Sequence, residues 1–373
     1  MPLKIGLVGM RGIGEAHARA YQQDPLGKLV AVCDVLKDRA DAGAAKFGVK
    51  AYYSLKDMLA NVDVDIVDVT TGGLENGSWH FEPAMQALEA GKNVLVEKPI
   101  SNDVREARQM VAYAAERRLR LGCNLNHYFT PTAEKGKQYM KEGKVGELVY
   151  CLHKMGFNGG EATYSPSTGR WLYPYSHLKA FLAHPFAVMR YFCGDITHVQ
   201  AFLDRPGVRR TASDPMLSIA SVHVRFASGC AGYLLSQRGD SNFGLGGWWS
   251  LEISGTRGCF CIENCIEKIT YWPMPLPAGA AKPEAMSMGS SGGPETMNTG
   301  ITDFGATFPR RIHAFLEDVT NKVFFEDVRA SGRDALATLE YTWAAMQSHE
   351  QGGALVQPHP LPPLHGDPAT MVG

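Results

Sequence analysis

The sequence has no apolar run approaching the ~20 residues needed to cross a bilayer as a helix, and no charge run long enough to form a tail. It has no surplus of either charge: 37 Lys and Arg stand against 38 Asp and Glu, a net charge of −1. That balance gives no bulk attraction to nucleic acid or anionic lipid, so no nucleic-acid partner and no membrane association is expected. The opening Met1-Pro2-Leu3-Lys4-Ile5-Gly6-Leu7-Val8-Gly9 lacks a basic stretch followed by an unbroken apolar core. It reads as a first strand and not as a secretory signal. There is no internal repeat.

The cysteines show no paired spacing. Cys33, Cys123, Cys151, Cys193, Cys230, Cys259, Cys261 and Cys265 are scattered, mostly inside apolar strand-like runs. Reduced, buried thiols have that habit, and the chain reads as cytoplasmic. Only Cys259-x-Cys261-x3-Cys265 forms a cluster. Alternation along a strand is expected to split its thiols between faces, no paired Cys or His set stands nearby, and no metal is expected.

What remains is globular material. The chain has 373 residues, 45% apolar and 20% charged, enough for two domains at roughly 150 residues each. It needs no disulfide or metal to hold a core. Over 1–123, short apolar strands (4–8, 29–33, 64–70, 93–96, 119–123) alternate with helical patterns (12–23, 38–47, 55–59, 81–90, 103–117). This α/β alternation predicts a doubly wound parallel sheet. From 124 to 373 the pattern changes. Consecutive strand-like runs (149–155, 196–202, 217–226, 229–236, 249–254, 258–263) predict an open, mostly antiparallel sheet in an α+β domain. Helices are expected over 133–142, 176–193, 308–321 and 332–349, the last packing back on the first domain. The segment 272–305, dense in Pro, Gly, Ser and Met, reads as a flexible excursion or lid.

The strongest chemical signal is at the start. The first strand runs into Gly9-Met10-Arg11-Gly12-Ile13-Gly14 and a helix. A glycine turn feeding a helix N-terminus cradles a pyrophosphate on free backbone N–H groups. Arg11 stands where the second glycine is usual, with Gly12 after it. Asp34 ends the second strand, 20 residues beyond Gly14, where a carboxylate accepts hydrogen bonds from an adenosine ribose. An acid there repels a 2′-phosphate, which favours NAD over NADP. A second signal is Val94-Leu95-Val96-Glu97-Lys98-Pro99, which sets a lysine at the carboxyl end of a strand, where open sheets bind ligands. Pro99 fixes the exit of the chain. Taken alone, Lys98 reads first as a solvated lysine beside a turn.

Together these residues resemble the Gfo/Idh/MocA oxidoreductases, the relatives of glucose–fructose oxidoreductase and inositol 2-dehydrogenase. The resemblance takes in Gly9–Gly14, His17, Asp34, His80 and Ala90-Gly91-Lys92-Asn93-Val94-Leu95-Val96-Glu97-Lys98-Pro99. It continues through Gly122-Cys123-Asn124, Lys144-Val145-Gly146-Glu147-Leu148, Gly255-Thr256-Arg257-Gly258 and 332–350. It implies an N-terminal Rossmann domain, a second domain whose sheet makes a homo-oligomer (dimer or tetramer), and a site between them. It implies NAD held by Gly9, Arg11, Gly12, Ile13, Gly14, Asp34, Thr70, Thr71, His80, Glu97, Lys98 and Asn124. The implied activity is reversible oxidation of a secondary alcohol on a sugar, glycoside or cyclitol. Lys98 maps to the family lysine. In Ala180-Phe181-Leu182-Ala183-His184, His184 keeps the catalytic histidine position of an Asp-x3-His element, and Ala180 replaces its acid. Thr70-Thr71-Gly72-Gly73 replaces the usual Thr-Pro-Asn cofactor loop.

In this reading His184 takes the hydroxyl proton, as an imidazole titrating near neutrality does, and Lys98 holds the oxygen. The roles reverse if burial lowers the lysine pKa. Arg170, Trp171, Tyr173 and His177 are expected substrate contacts, since sugars bind through hydrogen bonds and aromatic stacking. His177, seven residues before His184, is expected on the same helix face. Asn126 and His127 are weaker candidates, and Gly246-Gly247-Trp248-Trp249 is a second aromatic wall or sheet core. Two other functions stay open. One is a redox-neutral enzyme that recycles tightly bound NAD, by epimerisation, sugar–sugar oxidoreduction or glycoside cleavage. The other is a non-catalytic dinucleotide or sugar sensor.

Overall fold

In the computed structural model the described residues are 1–72, 79–157, 173–239, 246–274 and 293–364, with the backbone alone at 208 and 209. Among them a parallel sheet comes first: β1 (Leu3–Val8), β2 (Gly27–Cys33), β3 (Lys50–Tyr52), β4 (Ile66–Val69), β5 (Asn93–Val96) and β6 (Leu121–Cys123). Their order is β3-β2-β1-β4-β5-β6, and all pairings are parallel. The central strands are buried on both faces because helices cover both. These are α1 (Gly12–Gln23), α2 (Lys37–Phe47), α3 (Leu55–Asn61), α4 (Phe81–Glu89) and α5 (Val104–Glu116). Side-chain caps set two starts: Ser54 accepts from the Asp57 N–H and Asp103 from the Arg105 N–H. Strand order reverses between β1 and β4, which opens a crevice at the carboxyl ends of the strands. β3 was not expected from the sequence; it is a three-residue edge strand, too short for a period-two pattern.

A 3-10 turn at Asn126–Phe129 and α6 (Pro131–Lys141) lead into the second sheet. In chain order its elements are β7 (Leu148–Phe157), α7 (Ser176–Phe181), α8 (Ala183–Cys193), β8 (Ile196–Asp204), β9 (Ile219–Phe226), β10 (Ala231–Arg238), β11 (Trp249–Gly255), β12 (Gly258–Glu263), β13 (Lys268–Pro273) and β14 (Glu295–Asn298). The sheet order is β14-β13-β12-β11-β7-β10-β9-β8. Every pair is antiparallel except β7 with β10. Alternate residues such as Met155, Val222, Leu234, Leu251 and Phe260 face the core. The opposite face leaves Val149, Leu152 and Phe202 exposed.

Three sequence expectations are corrected. The helix expected over 176–193 is two helices that share Leu182 as a boundary. Pro185 lacks the N–H that would reach back to Phe181 and its ring crowds that carbonyl, so a continuous helix breaks there. The segment 272–305 opens within β13, contains β14 and closes into a 3-10 turn at Phe304–Ala306. β13 pairs with β14 from Lys268↔Asn298 to Tyr271↔Glu295, and only its middle, 275–292, lies outside the described residues. Cys259 and Cys261 are two residues apart on β12 and so share a face, the half-exposed one, while Cys265 beyond the turn is buried.

The chain then returns to the first sheet. α9 (Thr307–Thr320) buries Ile312, Phe315 and Leu316 against Ile5, Leu7, Leu29 and Tyr21. α10 (Gly332–Glu350) starts on a capping box made by Ser331 and Asp334. It packs Leu336 and Leu339 with Val94 and Val96, and Tyr341 and Ala345 with the second sheet.

Candidate active site

The turn after β1 is built for close approach. Gly9 has φ +98°, and a Cβ at Gly14 would lie 1.9 Å from the Gly9 carbonyl oxygen, so helix and strand meet only because that Cβ is missing. Thr70, just past β4, closes the turn from the other side. Its hydroxyl donates to the carbonyls of Val8 (3.0 Å) and Gly9 (2.7 Å). Arg11, Gly12 and Ile13 are exposed along the N-terminus of α1, which has no side-chain cap. Its first N–H groups therefore face outward, as a phosphate requires. Asp34 is anchored at the end of β2, with its carboxylate oxygens accepting from the N–H groups of Met10 and Leu36, both at 2.9 Å. These residues fit a dinucleotide: glycine turn, open helix N-terminus, and acid at the second strand.

A buried polar network runs beneath the crevice, across the ends of four elements. His17 of α1 is fully buried and donates from Nδ1 to Asp68 Oδ2 (2.8 Å) and from Nε2 to Glu97 Oε1 (3.1 Å). Tyr21, one turn along, donates to the same Asp68 oxygen at 2.8 Å. Asn124 donates to Glu97 Oε1, and the Lys98 backbone N–H donates to Glu97 Oε2 at 3.0 Å. Burial works against a charged His17, but Asp68 and Glu97 outweigh it and push its pKa up to about 10. Burial would raise Glu97; His17 and Lys98 outweigh that and hold it below the usual carboxylate value. The ring is therefore an imidazolium clamped between two carboxylates. Asn124 Oδ1 is buried without a partner among the described residues, an acceptor that suits a carboxamide edge. Nearby, the His80 ring nitrogens lie 2.7 Å from the carbonyl oxygens of Pro99 and Thr71. His80 thus ties the loop after β4 to the exit of β5, where the Lys98–Pro99 peptide is cis. Burial pushes its pKa down, against the pull of those carbonyls and Glu97.

Lys98 reaches across to the second half of the chain. Its Nζ donates to the Ala180 carbonyl (3.3 Å) and lies 5.4 Å from the centre of the Phe181 ring. Arg238, at the end of β10, approaches the same ring at 5.0 Å. The Ala180 methyl is fully buried and packs against Met216. Position 180 thus meets Lys98 through its main chain. His184, in the first turn of α8, stacks on His127 with ring centres 4.5 Å apart and planes at 15°. His127 meets the edges of Trp249 (5.6 Å) and Phe304 (5.4 Å), and Trp249 in turn meets His153 of β7 at 4.6 Å. Burial, then Lys98, then the other two rings push His184 well below the ordinary histidine pKa, which corrects the expectation from the sequence that it titrates near neutrality. Burial lowers His127 and His153 to about 3. All three are neutral rings.

The expected residues thus fall into groups. Gly9, Gly14 and Thr70 meet at the turn after β1, His80 joins Thr71 to Pro99, Glu97 meets Asn124 and the Lys98 N–H, Lys98 and His127 face His184, and Asp34 stands at the end of β2. Asn126 is buried and donates to Thr307 Oγ1 at 2.6 Å. His177 and His184 do not share a helix face, because α7 and α8 are separate. His177 is buried with Nε2 3.0 Å from Ser236 Oγ. Tyr173 is 42% exposed. Arg170, Trp171 and Gly73 lie outside the described residues. The sequence reading did not single out Tyr21, Asp68 or His153 as site residues. A charge inside the apolar strand Ile-Val-Asp-Val was the available signal for Asp68.

Residues 3–125 match the family model described as "Oxidoreductase family, NAD-binding Rossmann fold", and residues 134–261 match the "GFO/IDH/MocA C-terminal domain". Inositol 2-dehydrogenase 3 of Saccharopolyspora erythraea is 32% identical over 161 residues, 41% of this chain and 46% of that protein. The alignment thus spans about half of that relative's length. Inositol 2-dehydrogenase of Rhizobium meliloti is 21% identical over 356 residues, 93% of this chain and 97% of that one. The solved structure of a levoglucosan dehydrogenase in complex with NADH and levoglucosan superposes with a TM-score of 0.81 at 20% identity, covering 96% of this chain and 100% of that one.

Proposed function

The chain belongs to the Gfo/Idh/MocA oxidoreductase family, and from that premise we propose that it transfers a hydride between NAD and a secondary alcohol of a sugar, glycoside or cyclitol, with Lys98 and His184 at the reacting oxygen. The observation that carries the reading is their convergence from opposite halves of the chain. Lys98, at the mouth of the dinucleotide crevice, reaches the carbonyl of Ala180, and His184 sits in the next helix start. The inositol and levoglucosan dehydrogenases named above support the substrate class.

NAD, when bound, supplies the hydride acceptor. The glycine turn, the N-terminus of α1 and Asp34 would hold its phosphates and ribose, with Thr70, Thr71, His80 and Asn124 along its path. On oxidation the C–H bond breaks with its electron pair and the O–H bond breaks with its proton going to His184. The freed pair on oxygen completes the carbonyl. His184 is neutral and has no side-chain hydrogen bond among the described residues, so it has a lone pair to offer. Lys98 carries an ammonium whose N–H groups stabilise the developing alkoxide. Asn126 and Tyr173 would line the substrate side.

Among the described residues no helix is long and apolar enough to cross a membrane. The eight cysteines are unpaired, which supports a reducing compartment, the cytoplasm. The exposed face of the second sheet, with Val149, Leu152 and Phe202, supports a homo-oligomer formed through that face.

The test is absorbance at 340 nm with NAD and a panel of inositols, sugars and glycosides, for wild type and Lys98→Ala. A rise in the wild type is expected. Lys98→Ala is expected to lose at least about a hundredfold in kcat while binding NAD as before. Near-normal turnover in that variant refutes the assignment. If no NADH accumulates but denatured protein releases bound NAD(H), the reading moves to a closed redox cycle.

A further inference from the structure

We infer that His127 is the positioning residue of the reaction: its ring, stacked flat on His184, holds the proton acceptor in place without any carboxylate. The inference rests on the dehydrogenase reading, in which His184 receives the hydroxyl proton.

A general base works only when its ring is held at the reacting proton; a displacement of about 1 Å costs on the order of a hundredfold in rate. A hydrogen bond from the second ring nitrogen to a fixed acceptor is the usual restraint. His184 has no such bond among the described residues, and Ala180 has no side-chain oxygen to offer. What touches the ring is His127, nearly parallel at 4.5 Å. His127 is itself 3% exposed and set in the 3-10 turn that follows β6, the strand that also carries Asn124 to the crevice. Trp249 and Phe304 meet it edge-on, at 81° and 85°. Its plane is fixed from two elements, β11 and the segment before α9, and it passes that fixed plane to His184. Neither nitrogen of His127 has a hydrogen-bond partner among the described residues, so the face of its ring is what the structure employs.

A stack and a carboxylate differ in one respect. A carboxylate orients an imidazole and also favours its cation; a neutral ring orients it without charge. The titratable and charged groups facing His184 are Lys98 from the end of β5, His127 from the 3-10 turn and His153 from β7. On its own helix Arg190 lies nearly two turns on, bonded to Asp195 and Asp334. No carboxylate among the described residues faces the ring. His184 therefore stays neutral below the range where an ordinary histidine gains its proton, and, being a weak base there, returns a proton readily once the carbonyl has formed.

The experiment compares wild type with His127→Phe, His127→Gln and His127→Ala, by steady-state kinetics and by NMR titration of the histidine rings without substrate. Phe keeps a flat ring and loses the nitrogens; Gln keeps polar groups and loses the ring. Ala and Gln are expected to lower kcat by roughly 30- to 100-fold, with KM changed less than about threefold, and Phe to restore kcat to within about fivefold of wild type. In the titration, His184 of wild type and of the Phe variant stays neutral through the range where an ordinary histidine gains its proton. In the Gln variant, where the ring is freed and wetted, it moves toward the ordinary value. The inference is overturned if Gln retains kcat while Phe does not, since the nitrogens would then contact substrate. It is also overturned if all variants turn over like wild type, or if the His184 titration is the same in wild type and Gln. If His127→Ala does not fold, the Phe and Gln pair decides. Failure of the dehydrogenase reading appears separately, as a wild type that reduces no NAD with any polyol, while the NMR arm still tests the stack.

Discussion

The clamp on His17 makes stability depend on pH in a calculable way. The perturbation is His17→Gln, which removes the titrating ring and keeps a polar side chain. In the folded protein the ring's pKa is about 10, against 6.5 for a free histidine. One pKa unit corresponds to about 1.36 kcal/mol, so the difference corresponds to roughly 5 kcal/mol at most, a large part of the ~5–15 kcal/mol that holds a domain folded. Because the folded pKa lies above the unfolded one, this contribution is whole below pH 6.5. It drains as pH rises, at up to about 1.36 kcal/mol per pH unit, and is gone above pH 10. Other groups titrate over the same range, so the informative quantity is the gap between wild type and variant. Urea midpoints read by tryptophan fluorescence at pH 6.5, 8 and 9.5 measure it. The gap is expected to be widest at pH 6.5 and to narrow steadily. A gap that holds constant from pH 6.5 to 9.5 refutes the clamped imidazolium.

Two further predictions concern the crevice. Gly14→Ala sets a methyl 1.9 Å from the Gly9 carbonyl oxygen; it is expected to abolish NAD binding by calorimetry and to lower Tm by several degrees. Asp34→Ala removes the proposed ribose acceptor and frees the Met10 and Leu36 N–H groups. NAD affinity is expected to fall about tenfold or more, with NADP affinity unchanged or improved, and equal losses for both would argue against Asp34 at the ribose.

Much of the first half was legible in the sequence because its signals are local. Gly9, Gly14 and Asp34 sit at spacings fixed by one strand–turn–helix–strand unit, and Glu97-Lys98-Pro99 marks a strand end by itself. β3 was missed because three residues at a sheet edge carry no periodicity. The break at Leu182 had a legible cause in Pro185, but the strong apolar pattern of 176–193 masked it. The hairpin of β13 and β14 was hidden by the Pro- and Gly-rich stretch between its strands. The parallel pairing of β7 with β10 had no local signal, since the partners lie some eighty residues apart. The contacts that define the candidate site are of the same kind. Lys98 meets the carbonyl of Ala180 across 82 positions of sequence, a contact that only the assembled fold brings about. The His127–His184 stack joins residues 57 positions apart through the placement of two domains.

The return of α9 and α10 to the first sheet has a temporal consequence. A nascent chain emerges from its amino end, yet the face of β1 and β2 is sealed by Ile312, Phe315 and Leu316, and the end of β6 by the hydrogen bond from the Cys123 N–H to the Ala330 carbonyl. At roughly 1.5–3 kcal/mol for each large apolar side chain, those three residues of α9 alone hold about as much free energy as a marginal domain has to spare. The first sheet is expected to gain its full stability only after nearly the whole polypeptide has left the ribosome. The first sheet must wait, half-clothed, for the last helices to be made.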